Sequence, residues 1–132
     1  MLCDSPSNYM REKECTEFIA SVPTVWDETR GLGGKVGEYI CIARRKGDVW
    51  YVGGMTDWSA RIIKLPLDFL ADGDYEVELY IDGPNAHRAA KDYKKVIFNP
   101  NVCGGKASSE SVFDSDGMFT VEMAPGGGFA AR

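Results

Sequence analysis

The sequence predicts an all-β fold, an antiparallel immunoglobulin-like sandwich of about seven or eight strands preceded by one N-terminal α-helix. An amphipathic stretch ends at Pro23, and short apolar runs separated by turn residues follow it. Residues 75–82 alternate between apolar and polar side chains, as a half-buried strand does. At 132 residues, the chain is long enough for one such domain with its own core.

The predicted helix begins at Asp4 or Ser5, either of which can cap it, and ends before Pro23. One of its faces is apolar at helical spacing and consists of Cys15, Phe18, Ile19 and Val22. This stripe must cover either the following sheet or a surface outside this chain. We therefore divide the chain into a helical segment, residues 1–23, and a sandwich, residues 24–132.

The predicted strands follow one another from Thr24. The first covers 24–30 and leads into a glycine-rich turn at 31–34. The apolar runs 39–43 and 49–52 form a hairpin around Gly47-Asp48, inside a sheet that is covered on both faces. The remaining predicted strands are 62–67, 75–82, 93–98, 119–123 and 128–131.

Charge and composition exclude several classes of protein. A net charge of −5 argues against nucleic-acid binding, which normally uses a basic patch. No apolar run reaches the roughly 18 residues that a membrane span needs, and no secretion signal follows Met1. The four cysteines are widely spaced and His87 is the only histidine. We therefore expect no metal site and no disulfide framework, with Cys3–Cys103 as a remote pairing.

Several motifs suggest chemistry but fail on their spacing. The glycines at 31–37 and 126–128 lack the residues of a nucleotide-binding loop, and 114–117 lacks two ligands of a calcium loop. No nucleophile accompanies His87, and carboxylates such as Glu76 and Glu78 lie on strand faces. A carboxylic acid that acts as general acid needs burial and a raised pKa, and no residue is marked for that role. We predict no catalytic residue in this chain.

The aromatic residues offer one alternative function. Trp58, Trp26 and Tyr80 are the candidates for a platform on which sugar rings stack, as carbohydrate-binding modules use. A role in the core or at a domain interface is favoured, since sandwiches bury large aromatic side chains for stability. Trp58, next to a turn, is expected to be the most exposed of these rings.

Four segments carry a family resemblance. They are EYICIARRKGDVWYVGGMTDW at 38–58, and the stretches at 2–29, 82–95 and 123–132. Together they resemble the C-terminal domain of glycoside hydrolase family 97, exo-acting α-glucosidases and α-galactosidases of polysaccharide-degrading bacteria. Residues 99–116 match that pattern least well.

The resemblance implies that residues 1–23 are the last helix of a catalytic barrel and that 24–132 pack on that barrel and stabilise it. The catalytic and calcium-binding glutamates would belong to the barrel, so calcium is implied only for the full-length enzyme, with a periplasmic or cell-envelope location. The parent would remove terminal α-linked glucose or galactose, by an inverting or a retaining mechanism. Two alternatives stay open: an oligosaccharide-binding module, and a protein-interaction module that forms a homodimer through the helix.

Overall fold

A computed structural model of the protein describes residues 4–71, 73–99 and 118–132. These residues form two short helices and eight antiparallel strands, which confirms the predicted all-β sandwich. The elements are α1 (Pro6–Arg11), α2 (Lys13–Ser21), β1 (Glu28–Lys35), β2 (Tyr39–Lys46), β3 (Val49–Thr56), β4 (Arg61–Leu65), β5 (Val77–Asp82), β6 (Tyr93–Phe98), β7 (Phe119–Met123) and β8 (Gly128–Ala131). Neither described helix has the length and apolar character that crossing a membrane requires.

The strands form a large sheet and a small one. The six-stranded sheet has the order β1-β2-β3-β8-β5-β6, and β4 pairs with β7 in the two-stranded sheet. Side chains on the inner face of the large sheet, including Cys41, Leu79 and Phe129, form one core with Leu65, Val121 and Met123 of the small sheet. Fully burying a side chain such as Leu65 contributes about 1.5–3 kcal/mol. This core fixes which face of the large sheet points outward.

The predicted hairpin around Gly47-Asp48 is confirmed. Strands β2 and β3 pair in continuous register from Tyr39↔Thr56 to Lys46↔Val49, joined by two residues. Gly47 has a φ of +59°, which suits a glycine in the tight turns that connect hairpin strands. The carboxylate of Asp27 accepts hydrogen bonds from the Gly47 N–H and the Lys46 ammonium, each at 2.8 Å. These contacts hold the turn against the segment that enters β1.

The glycine-rich turn predicted at 31–34 is wrong, because this segment lies within β1. A β-bulge between Gly31 and Gly33 lets the strand accommodate the additional Leu32, which packs against the core. The turn comes later, where Gly37 has a φ of +77°. Glycine marks a bulge here, whereas the sequence pattern was interpreted as a turn.

The single predicted helix is divided at Glu12, which has φ −102° and ψ 52°. The hydroxyl of Thr16 donates a hydrogen bond of 3.0 Å to the carbonyl oxygen of Tyr9, just before the break. The apolar stripe begins only at Cys15, after the end of α1. The stripe therefore packs α2 on the sheet, and α1 has no apolar face with which to pack there. Met10 of α1 is accordingly 76% exposed.

Candidate functional site

Helix α2 lies on the outer face of the large sheet, on the side away from the core. The Phe18 ring packs on the Tyr80 ring of β5, with centroids 4.9 Å apart. The Tyr51 hydroxyl donates a 3.2 Å hydrogen bond to the Ser21 carbonyl oxygen. Helix α2 therefore covers the part of this face that β5 contributes, and its last turn lies near β3.

A group of charged residues lies beneath the helix. The Glu78 carboxylate forms ion pairs of 2.7 Å with Lys95 and 2.6 Å with Arg132. The hydrogen bond from Lys95, followed by the charge of Arg132, holds the pKa of Glu78 below its ordinary value. The same hydrogen bond raises the pKa of Lys95. A carboxylate with a lowered pKa is suited to ion pairing, whereas a general acid needs a raised pKa.

A tyrosine on β6 links this group to the start of α2. The Tyr93 hydroxyl donates a 2.7 Å hydrogen bond to the Glu14 carboxylate. Hydrogen bonding with Cys15 and Glu14 raises the pKa of Tyr93 well above its ordinary value. Tyr93 therefore stays a neutral donor that holds the start of α2 on β6.

Two of the three predicted sugar-stacking rings are engaged by other side chains of the chain. The Trp26 ring packs edge-on against Tyr51 with centroids 5.3 Å apart, and the Arg44 guanidinium lies 5.6 Å from its centroid. Tyr80 lies between Phe18 and the Lys95 ammonium, which is 5.3 Å from its ring centroid. Both rings are half-buried, so neither offers a fully open face for stacking.

Trp58 is 86% exposed, which confirms the expectation that it is the most exposed of the three rings. A Cβ atom placed on Gly126 would lie 3.0 Å from the Trp58 ring, so one side of the ring lies against the turn between β7 and β8. The adjacent Asp57 fixes this region, because its N–H donates to the Glu38 carbonyl and its own carbonyl accepts from the Gly126 N–H, each at 2.7 Å. Trp58 is thus an exposed ring on a well-connected turn.

The structure does not bring the three predicted site residues together. Trp26 packs near the start of β3, whereas Trp58 follows the end of this strand. The part of β3 between Tyr51, which Trp26 contacts, and Thr56, the last residue before the Trp58 turn, spans five residue steps, or about 17 Å. Sugar binding by Trp58, Trp26 or Tyr80 stays a prediction, and the geometry favours Trp58 as an individual contact.

Acidic and metal-ligating groups are dispersed over the described residues. In the described part of the chain, no charged residue is buried, and no three His, Cys, Asp or Glu side chains converge as a metal site would need.

Cys15 and Cys41 are free thiols, and burial raises the pKa of Cys41. The Cys3–Cys103 pairing and the rejected calcium loop at 114–117 lie outside the described residues. A cavity of about 510 Å³ lies between Trp50, Leu65, Phe98 and Phe119.

One surface was missed by sequence reasoning. Gly34, Ile40, Met55 and Gly128 are aligned across β1, β2, β3 and β8 on the outer face. Ile40 is 45% exposed and Met55 is 64% exposed. The apolar run 39–43 was predicted to be covered on both faces, yet α2 leaves this part of the outer face open. The recurring glycines in β1, β3 and β8 were the available signal.

The whole sandwich matches a known family. Residues 25–132 match the family described as glycosyl-hydrolase 97 C-terminal, oligomerisation. The chain belongs to glycoside hydrolase family 97, as its C-terminal domain. This confirms the resemblance inferred from the four segments of the sequence.

The family 97 match extends to named relatives. The chain is 56% identical over all of its 132 residues to a retaining alpha-galactosidase of Bacteroides thetaiotaomicron, of which it covers 18%. It is 34% identical over 130 residues to a probable retaining alpha-galactosidase of Streptomyces bingchenggensis, of which it covers 17%. The chain therefore spans about a fifth of the length of these relatives.

Two solved structures have the same fold. A family 97 enzyme of Pseudoalteromonas sp. strain K8 in complex with panose superimposes with a TM-score of 0.78 at 31% identity, covering 97% of this chain and 19% of that chain. A beta-arabinopyranosidase superimposes with a TM-score of 0.71 at 26% identity, covering 99% of this chain and 18% of that one. In both, the similarity includes most of the α2 region as well as the sandwich.

Proposed function

We propose that this chain is the non-catalytic assembly domain of a retaining α-galactosidase, and that it packs on and stabilises the catalytic barrel. The observation that carries this proposal is the 56% identity along the entire chain to 18% of a retaining alpha-galactosidase. The proposed parent removes terminal α-linked galactose from oligosaccharides. Terminal α-linked glucose is the second candidate, since a neighbouring family 97 structure was solved with panose.

The charges of the described residues support a structural role. Asp27, Glu28, Asp57 and Glu78 each form hydrogen bonds or ion pairs that lower their pKa values. Such carboxylates stabilise turns and the helix–sheet contact. The calcium that the family resemblance implies is proposed for the remainder of the enzyme. A periplasmic or cell-envelope location belongs to the same proposal.

The test uses the Bacteroides thetaiotaomicron relative without the region that this chain matches. We expect the purified 132-residue chain to show no turnover of a chromogenic α-galactoside or α-glucoside. Added to the truncated relative, it should bind and raise the thermal midpoint of that protein. Turnover by the chain alone, or a truncated relative whose stability and activity equal those of the intact enzyme, would contradict the proposal.

A sugar-binding function is the second candidate, and the 86% exposed ring of Trp58 favours it. A ring supported on one side by Gly126 and open on the other could stack on a pyranose. Titration with melibiose and with maltooligosaccharides should then change tryptophan fluorescence in the wild type and leave the Trp58→Ala variant unchanged. A Trp26→Ala variant serves as control, because that ring is engaged by Tyr51 and Arg44. Absence of a fluorescence change and of heat on titration would eliminate this function.

A further inference from the structure

The dipeptide Asp82-Gly83 is chemically reactive by its sequence. An aspartate followed by glycine is prone to isomerise, because glycine has no Cβ atom to hinder the attack of its backbone nitrogen on the aspartate side chain. The pair lies at the end of β5, where Asp82 is half-buried and Gly83 is buried. The same dipeptide occurs in the sequence at 72–73 and 116–117. The contacts of Asp82 and Gly83 in the fold therefore decide how readily this pair reacts.

The fold requires both residues of the pair. The Asp82 carboxylate accepts hydrogen bonds from the N–H groups of Ala124 and Gly128, at 2.9 and 2.8 Å, and so holds the turn between β7 and β8. A Cβ atom on Gly83 would overlap the carboxylate of Asp92, which lies directly against it. A larger residue that would slow the isomerisation therefore does not fit at position 83.

The same contacts hold the reacting atoms apart. Both hydrogen bonds to the Asp82 carboxylate end on one oxygen, Oδ2, and direct the side chain toward the β7–β8 turn. The nitrogen of Gly83 is the nucleophile, and its N–H donates a 2.7 Å hydrogen bond to the Asp92 carbonyl oxygen. Asp82 is also paired with Tyr93 in the extended backbone of β5. The rotation that brings the carboxyl carbon to this nitrogen therefore requires the end of the strand to open.

We infer that Asp82-Gly83 is a site of backbone isomerisation that the β7–β8 turn keeps closed in the folded chain. When the turn releases the carboxylate, the Gly83 nitrogen bonds to the Asp82 Cγ, and one water molecule leaves to give a cyclic imide. Water then adds to the imide and cleaves one of its two C–N bonds. Cleavage at Cγ restores aspartate, whereas cleavage at the main-chain carbonyl carbon gives isoaspartate. One water is lost and one is gained, so the reaction needs no other reactant, and the inference does not depend on the proposed function.

The product cannot resume the contacts of Asp82. In isoaspartate the main chain runs through Cγ and is longer by one methylene group, while the carboxylate is attached directly to Cα. This change displaces the carboxylate from Ala124 and Gly128 and shifts the pairing of β5 with β6. The ring of Trp58 lies against Gly126 in the same turn, so it loses part of its support. Isomerisation therefore traps the chain with this turn released.

The experiment measures the formation of isoaspartate at position 82 in the 132-residue chain at neutral pH. Electron-transfer fragmentation locates the modified residue and separates it from positions 72 and 116. We expect the rate at Asp82 to be at least about tenfold higher in concentrated guanidinium chloride than in the folded chain, because the unfolded chain needs no opening step.

A matched pair of glycine variants tests the role of the turn. Gly127→Ala should raise the rate in the folded chain at least about threefold, since the added Cβ atom would overlap the Asp82 carboxylate and displace it from its donors. Gly53→Ala is the control, because its Cβ atom would lie 3.7 Å from the nearest atom, and it should isomerise at the wild-type rate. Circular dichroism establishes that both variants are folded.

Asp82→Asn supplies a second measurement, which keeps the test valid if Gly127→Ala does not fold. The side-chain oxygen of this variant can still accept both hydrogen bonds, and deamidation through the same imide increases its mass. We expect deamidation at position 82 at least about tenfold slower in the folded variant than in denaturant. Equal rates in the folded and the denatured chain would show that the fold does not protect the site. A folded Gly127→Ala variant with the wild-type rate, or no isoaspartate at position 82 in denaturant, would also overturn the inference.

Discussion

The carboxylate of Asp82, at the end of β5, accepts hydrogen bonds from the backbone N–H groups of Ala124 and Gly128, at 2.9 and 2.8 Å. These residues lie 42 and 46 positions later, at the two ends of the turn that joins β7 to β8. One side chain of the large sheet thus holds the connection between the two sheets. The turn also supports Trp58 through Gly126, so the contact links sheet pairing to the most exposed ring.

Replacement of Asp82 by Ala should destabilise the fold by about 2 kcal/mol, because two backbone donors lose a charged acceptor. Urea denaturation followed by circular dichroism measures this change. Glu122→Ala is the control, since Glu122 is an exposed carboxylate on β7 close to the same turn. We expect a change below about 0.5 kcal/mol for the control. Equal losses in the two variants would show that the backbone contacts of Asp82 contribute little.

Two adjacent glycines of β3 should differ sharply in their tolerance of alanine. A Cβ atom on Gly54 would lie 2.8 Å from the Cys41 sulfur and even closer to the Phe129 ring, so Gly54→Ala overfills the core. A Cβ atom on Gly53 faces outward and lies 3.7 Å from its nearest atom, the Phe129 carbonyl oxygen. We expect Gly54→Ala to cost about 1–3 kcal/mol and Gly53→Ala under about 0.5 kcal/mol. Equilibrium unfolding checks both values, and the reverse order would mean that β3 faces the other way.

The contact of α2 with its own sheet depends mainly on Phe18. Phe18→Ala removes the ring that packs on Tyr80, and since Phe18 is only half-buried we expect a loss of about 1–2 kcal/mol. Ile19→Ala is the matched control, because Ile19 is on the same helix and is 43% exposed. The two midpoints in thermal unfolding should be clearly separated. Identical midpoints would indicate that α2 is bound to the sandwich only weakly.

Stability should decrease in acid, partly through Glu78. Its folded-state pKa lies below the ordinary value of 4.5, so its contribution to stability is fully present above that pH. This contribution is lost as the pH falls below 4.5 through the lowered folded-state pKa, because the unfolded chain then binds the proton more strongly. Glu78→Gln should cost about 1 kcal/mol at pH 7 and should reduce the slope of stability against pH in this acidic range. A wild type and a variant with parallel pH profiles would contradict the assigned role of the ion pairs.

The fold was predictable where local chemistry and pairing agree. Gly47-Asp48 between two β-forming runs specifies a hairpin. The alternation at 75–82 correctly predicted that Leu79 faces the core and that Tyr80 faces outward. In these segments, one periodic pattern or one turn signal is sufficient to predict the strand or the hairpin.

Other features depend on long-range contacts and could not be predicted from local patterns. The glycines of β1 suggested a turn, because a bulge that accommodates Leu32 becomes visible only with β2 alongside. The apolar side chains of Ile40 and Ile42 predicted that both faces of their strand are covered. The position at which α2 ends on the sheet decides which of these two side chains stays exposed. The ion pairs of Glu78 join β5 to Lys95 of β6 and to Arg132, which directly follows β8, and the sequence separation of these residues conceals the pairing.

We propose that this chain contributes structure and assembly to a family 97 glycosidase whose chemistry lies in another domain. A chimera tests it most directly, with this chain replacing the matched 18% of the Bacteroides thetaiotaomicron alpha-galactosidase. The measurement is kcat/KM of the chimera on an α-galactoside, beside its thermal midpoint. We predict kcat/KM within about twofold of the parent enzyme, a difference of about 0.4 kcal/mol in transition-state free energy, with a comparable midpoint. A folded chimera whose kcat falls by orders of magnitude would contradict the claim, because residues of this domain would then take part in the reaction.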